Sequence, residues 1–189
     1  LHPVDDAWLA DARDAFPALG TLPGPRTAVL LGGDSRHGRF DVAAFAALAD
    51  RLDVITQRDG GSLLLTASRR TSPEVRDALR ARYAGCAARV WIDDRDGPNP
   101  YAGMLGWADR IVCSSDSVNM LSEACATRAP VFVFAPGPLD GGPQRFVDGL
   151  LAEGRARAFE DALPAFDVVP LRETARIAAA VRDRLGLRD

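Results

Sequence analysis

Asp116, Asn119 and Glu123 recur at i, i+3 and i+7, starting inside the polar run Ser114-Ser115-Asp116-Ser117. On a helix that spacing lays three polar side chains along one face, beginning at the helix mouth. A helix start leaves backbone N–H groups unpaired and carries the positive end of the helix dipole. Ser115, Asp116, Ser117 and Val118 therefore stand where phosphate-like anions collect. Either Asp116 or Ser117 suits the N-cap, and a capped helix with a solvated face fits the same residues. A second cluster, Gly32-Gly33-Asp34-Ser35, runs straight into Arg36, His37 and Arg39. Glycine lets the backbone turn sharply and come close to a ligand, and the cations supply donors for phosphate. The spacing is neither GxGxxG nor a Walker loop, and a plain tight turn reads equally well. Arg69 and Arg70 add a third cationic point, either at a ligand or on a solvated surface.

These clusters need a scaffold that gathers strand ends. Each follows a short apolar run: 27–31 before the glycines, 62–66 before the Arg pair, 108–113 before the serines. Further runs at 89–92 and 131–135, and a short one at 156–159, complete a set of strands. Helix-period segments separate them, at 42–57 with Asp41 as cap, 72–83 with Ser72 as cap and Pro73 at the first position, 101–107, 118–127 and 144–153, the last stopped at Gly154. Strands alternating with helices at this spacing predict an α/β fold with a doubly wound, Rossmann-like parallel sheet. Such sheets bind ligands at the carboxyl ends of their strands, where all three clusters fall. Residues 1–25 read as a lead-in helix over 4–19 and a linker, 26–170 as the Rossmann-like domain, and 171–189 as a C-terminal return helix.

Composition narrows the function classes. The chain has 189 residues, 47% of them hydrophobic, enough for one compact domain. A net charge of −3 without a long basic run argues against nucleic acid as the partner. Every basic side chain other than histidine is Arg, which excludes a lysine Schiff base or lysine phosphate clamp. No apolar run approaches membrane-spanning length and there is no signal peptide, so a cytoplasmic protein without a membrane span is expected. Cys86, Cys113 and Cys125 are odd in number with no CxxC spacing and are expected to be buried thiols. There is no Ser/His/Asp or Cys/His set and no metal-ligand spacing, so neither a metal nor a catalytic residue is assigned.

The runs Val29-Leu30-Leu31-Gly32-Gly33-Asp34-Ser35, Leu64-Leu65-Thr66-Ala67-Ser68-Arg69-Arg70-Thr71 and Asn99-Pro100-Tyr101, with 108–112 and Ser122-Glu123-Ala124-Cys125, resemble the mitochondrial fission (elongated mitochondria) family. That family has plant members linked to mitochondrial division and bacterial members described as glycosyltransferases or nucleotide-sugar enzymes. More distantly the stretch is similar to the C-terminal, donor-binding half of GT-B glycosyltransferases and to sugar-nucleotide 2-epimerases. The resemblance implies that Gly32, Gly33 and Ser35 form a loop beside the donor and that Ser115, Asp116, Ser117 and Val118 receive its diphosphate. It further implies that Glu123 bonds the ribose, that Gln144 contacts the sugar and that residues 92–94 lie near the base. Glu123 suits a ribose because a carboxylate accepts from both hydroxyls, though it also reads as a solvated helix residue. Gln144 follows Pro143 and also fits the plain start of a helix. Asp116 suits a diphosphate poorly unless it caps the helix or shares a cation.

The substrate-binding set expected from residues and resemblance together is Gly32, Gly33, Ser35, Arg36, Arg69, Arg70, Ser115, Asp116, Ser117, Val118, Asn119, Glu123 and Gln144. No cofactor is expected beyond a nucleoside-diphosphate sugar as substrate, and acceptor and oligomeric state are left open. The resemblance places the acceptor domain outside this chain, so the chain is expected to bind without turnover. The alternatives are an epimerase-like enzyme and a non-catalytic adaptor that binds a protein partner.

Overall fold

The computed structural model describes residues 2–34, 38–172, 182 and 184. Six strands, β1 (Arg26–Leu31), β2 (Ser62–Ala67), β3 (Arg89–Trp91), β4 (Arg110–Ser114), β5 (Val131–Phe134) and β6 (Ala156–Ala158), form one sheet in the order β3-β2-β1-β4-β5-β6. Every pairing is parallel. The doubly wound Rossmann-like sheet expected from the sequence is the fold observed. The central strands β1, β2, β4 and β5 are almost wholly buried, as strands covered on both faces must be.

Alternation along the strands divides the core in two. Ala28, Leu30, Leu64, Ile111, Cys113, Val131 and Val133 face a cluster that includes Leu9 of α1 (Asp6–Ala15), Met104 and Leu105 of α5 (Tyr101–Trp107), Leu121 of α6 (Val118–Cys125) and Leu150 of α7 (Gly141–Ala152). Val29, Leu31, Leu63, Leu65, Val112 and Phe132 face Leu48 and Leu52 of α3 (Val42–Asp59) and Leu79 of α4 (Pro73–Arg82). Helices reached from β1 and β2 thus cover one face, and those reached from β4 and β5 the other. The switch between β1 and β4 opens the carboxyl edge there. At the amino edge, buried Arg110 donates to Thr27 Oγ1 and to Asp59 Oδ2, each at 2.8 Å, and so ties β4 to β1 and to the end of α3.

Asp41 and Ser72 cap α3 and α4 as their types predict, accepting from Ala44 N at 2.9 Å and Val75 N at 3.3 Å. Several boundaries differ from expectation. The first helix divides at Pro17, which lacks an N–H donor and opens the short α2 (Pro17–Gly20). Residues 2–25 pack against the body: Val4, Leu9 and Leu19 are buried, and Arg13 donates to Gly106 O at 3.3 Å. α7 begins three residues earlier than expected, because Pro143 is tolerated in a first turn whose N–H groups have no partner. Cys86 is exposed, contrary to expectation, whereas Cys113 and Cys125 are buried. The turn holding Cys86 follows α4 at the surface, outside either core cluster. The return helix expected over 171–189 lies almost wholly outside the described residues. Among the described residues no helix is long and apolar enough to cross a membrane.

Candidate functional site

Gly32 and Gly33 leave β1 beside the end of β4, and their backbone is held by side chains from two other elements. Gly32 N–H donates to Ser114 Oγ at 2.7 Å, and Gly33 N–H to Asp116 Oδ2 at 2.6 Å. Thr71 Oγ1 donates to the Gly32 carbonyl and lies 3.1 Å from Ser68 Oγ. A Cβ on Gly32 would overlap the Asp116 carboxylate, and one on Gly33 would overlap the Arg70 carbonyl. Close approach by the protein itself therefore demands glycine at both positions.

Above this junction, at the carboxyl ends of β2, β3 and β4, lies a cleft of about 870 Å³. Its floor includes Thr66 and Ala67 at the end of β2 and Trp91 and Ile92 at the end of β3. One wall is the mouth of α6, with Asp116, Ser117, Val118, Asn119, Met120 and Glu123. Arg69, Arg70 and Arg76 stand opposite, and Asn99 and Tyr101 close the remaining side. The stripe Asp116, Asn119 and Glu123 faces this space as its helical spacing predicts.

Asp116 does not cap α6. Ser117 holds the N-cap position without a side-chain bond, while the Asp116 carboxylate turns back toward β1. Asp116 is 6% exposed, its Oδ1 is buried with no hydrogen-bond partner, and burial pushes its carboxyl above the ordinary range. Bonds from Ser114 and the Gly33 N–H, with the charge of Arg70, act against that rise. Glu123 is not a solvated helix residue either: its Oε2 accepts from the Tyr101 hydroxyl. Burial, then the charge of Glu123, holds the Tyr101 phenol far above its usual range, so it stays a donor. Asn99 Oδ1 accepts from Tyr101 N at 3.0 Å and sets the start of α5.

The loops on either side are pinned from outside. Arg76 donates through Nη2 to the carbonyls of Ser68 and Arg69, at 3.1 and 2.8 Å, and so fixes the turn that carries Arg69 and Arg70. Asp96 Oδ2 accepts from Ile92 N at 2.8 Å and Asp93 N at 3.2 Å, and Arg80 clamps Asp93 and Asp96 together. Trp91 is oriented by its Nε1 donating to Gly97 O at 2.9 Å.

Of the expected residues, Arg69, Arg70, Asp116, Ser117, Val118, Asn119 and Glu123 line one cleft. Ser115 does not: it is 1% exposed, and its N–H donates to Phe134 O at 2.9 Å, extending the ladder to β5. Gly32 and Gly33 lie beneath the cleft as its support. Gln144 is turned along α7 to Asp148 Oδ1 at 2.7 Å, leaving Pro143 on the rim. Arg39 lines a separate hollow with the start of α3 and residues 134–138. Ser35, Arg36 and His37 lie outside the described residues. Trp91, Arg76, Asn99 and Tyr101 were assigned no role from sequence. Asn99 and Tyr101 carried a signal in the motif Asn99-Pro100-Tyr101, whereas Arg76 and Trp91 carried none. Among the described residues, no cluster of His, Cys, Asp and Glu could hold a metal ion.

Residues 1–185 match the family described as mitochondrial fission ELM1. The chain belongs to that family. It is 31% identical over 192 residues to the mitochondrial fission protein ELM1 of Arabidopsis thaliana, covering 100% of this chain and 44% of the relative. It is 26% identical over 166 residues to an uncharacterized protein of Rickettsia prowazekii (strain Madrid E), covering 85% of this chain and 47% of that one. The chain thus spans less than half the length of these two relatives. Among solved structures, a glycosyl transferase of family 9 from Veillonella parvula DSM 2008 superposes with a TM-score of 0.44 at 12% identity, over 94% of this chain and 46% of the other.

Proposed function

We propose that this chain is the donor-binding half of a glycosyltransferase-like protein and holds a nucleoside-diphosphate sugar in the cleft at the carboxyl edge of the sheet. The observation that carries this reading is the convergence, in one cleft, of the α6 mouth, three arginines and the Glu123–Tyr101 pair. A diphosphate is matched by the helix start and by Arg69 and Arg70, because backbone N–H groups and guanidinium forks both favour phosphate oxygens. Glu123 lies one to two turns inside the same helix, within reach of a ribose whose phosphates rest on the mouth. Tyr101 occupies one Glu123 oxygen and leaves the other for a ribose hydroxyl. The floor at Trp91 and Ile92 supplies the apolar surface that a base needs. Electrostatic stabilisation of the departing diphosphate would be the contribution of this half to sugar transfer. The acceptor and the catalytic base are assigned to no residue of this chain.

The adaptor reading would want a contiguous exposed apolar patch. The exposed large hydrophobic side chains among the described residues are Val42, Val54, Leu151 and Val169, scattered over α3, α7 and the segment after β6. A thermal-shift series with UDP, GDP, ADP, CMP and TDP tests the proposal. A nucleotide at a hundred times its dissociation constant adds about 2.7 kcal/mol, a rise of several degrees for a domain of this size. The expected result is a rise with at least one diphosphate that Glu123→Ala abolishes. No rise with any of the five at millimolar concentration would sink the reading.

A further inference from the structure

The Asp116 carboxyl is buried beside a space that we read as a phosphate site, an arrangement that ordinary charge repulsion forbids. Its two oxygens are not equivalent. Oδ2 is committed to the Gly33 N–H at 2.6 Å and is hemmed in by Gly32, whose Cα leaves no room for a side chain. Oδ1 is buried without a partner, and the residue lines the cleft. An ionised carboxylate with one orphaned buried oxygen loses hydration there beyond what its bonds from Gly33 and Ser114 return, whereas a proton on that oxygen removes the charge. We propose that Asp116 carries a proton on the buried Oδ1 and so stands neutral beside the α6 mouth, and that above its free-state midpoint an anionic group bound there is taken up together with a proton.

The surroundings agree. From the β2–α4 loop the facing charge is Arg70, with Arg69 and Arg76 further along the cleft. From β4 it is Cys113, fully buried and itself driven up by burial, with the charge of Asp116 adding to the rise. α6 offers Glu123, already bonded to Tyr101 of α5, and β1 offers only backbone. Asp34, next after the glycines, is turned to Phe40 N at 2.8 Å. Among the described residues Arg70 is the nearby cation that opposes protonation, beside the bonds from Ser114 and the Gly33 N–H, and a bound diphosphate would draw on that same charge. Binding therefore moves Asp116 further toward its protonated form, by linkage. For a nucleoside diphosphate this inference rests on the function proposed above; for the carboxyl itself it does not.

The test is a pH titration of the side-chain carboxyl carbons by NMR, assigned with Asp116→Asn, without ligand and with UDP or inorganic pyrophosphate. It is paired with calorimetry of both probes in buffers of different ionisation enthalpy. Asp116 is expected to titrate above the ordinary carboxylate range and to move higher with either probe, with uptake of up to one proton. Above the free-state midpoint the wild-type affinity should fall by up to about tenfold per pH unit. Asp116→Asn, which mimics the protonated form, should bind at least as tightly and without that slope. An Asp116 that titrates as an ordinary carboxyl while UDP binds would overturn the proton proposal and spare the nucleotide reading. So would a tenfold loss in Asp116→Asn, or binding that requires Mg2+, since each assigns Asp116 a charged role. Uptake of a proton with pyrophosphate but no affinity for any nucleotide would support the proposal and overturn the nucleotide reading. Absence of binding by both probes would overturn the nucleotide reading and the coupled proton uptake, and the ligand-free titration would still decide whether Asp116 is protonated.

Discussion

At the scale of single residues, the cleft depends on contacts that leave no slack. Gly32→Ala would drive a methyl group into the Asp116 carboxylate. Overpacking of that kind costs about 1–3 kcal/mol. Because the clash is with one side chain, Asp116→Ala should recover part of the loss, and a double-mutant cycle by urea denaturation would show a coupling of roughly 1 kcal/mol. Strict additivity would mean that the strain lies elsewhere. Tyr101→Phe removes only the hydroxyl that donates to Glu123. The fold should persist, while nucleotide affinity should drop about tenfold, the ~1.4 kcal/mol of one charge-assisted hydrogen bond. Unchanged affinity would show that Tyr101 does not position Glu123 for a ligand.

At the scale of elements, α6 is fastened at the end opposite its mouth. Buried Arg155 donates to the carbonyls of Cys125 at 2.8 Å, Thr127 at 2.9 Å and Ala124 at 3.3 Å. A cation at a helix carboxyl end meets both unpaired carbonyls and the negative end of the dipole, which offsets its burial without a carboxylate partner. Arg155→Met would leave those carbonyls dry and cost about 3 kcal/mol, or roughly 10 °C in the melting midpoint of a domain this size. A loss under 1 kcal/mol would show that water replaces the guanidinium. The α6 mouth could be read from sequence because a strand, four small polar residues and a helical stripe are local patterns. The anchor at its far end could not, since Arg155 lies 30 positions from Cys125 and looks like any surface arginine. The same holds for Arg76 and Trp91, whose roles arise from loop carbonyls that only the folded chain brings near. The glycine pair announced a close approach; that it accommodates Asp116 and Arg70 is a tertiary fact.

At the scale of the whole molecule, the two sheet edges differ, with the cleft at the carboxyl edge and ion-pair fastening at the amino edge. Asp59 joins α3 to β4 there, and Arg58 and Arg110 hold its carboxyl down at about 2. A carboxyl depressed in the folded state contributes stability that is present above its unfolded value, near 4, and lost as pH falls through its folded value. Stability should therefore decline between pH 4 and pH 2, and Asp59→Asn should flatten that part of the profile. An unchanged profile would place the acid sensitivity in other carboxylates. The parallel sheet and the inward faces of the helices followed from hydrophobic period, because strands buried on both faces read as unbroken apolar runs; the strand order, set by where each crossover lands, did not. The three cysteines add a practical consequence. Burial drives the Cys113 thiol well up and that of Cys125 to about 11, so neither offers a thiolate to a reagent near neutral pH, while Cys86 stands in the open after α4. A maleimide dye added to the unmutated chain would settle at one known address, on the turn leading into the strand that ends at Trp91. Its emission could then follow the cleft filling in real time, with no cysteine introduced or removed.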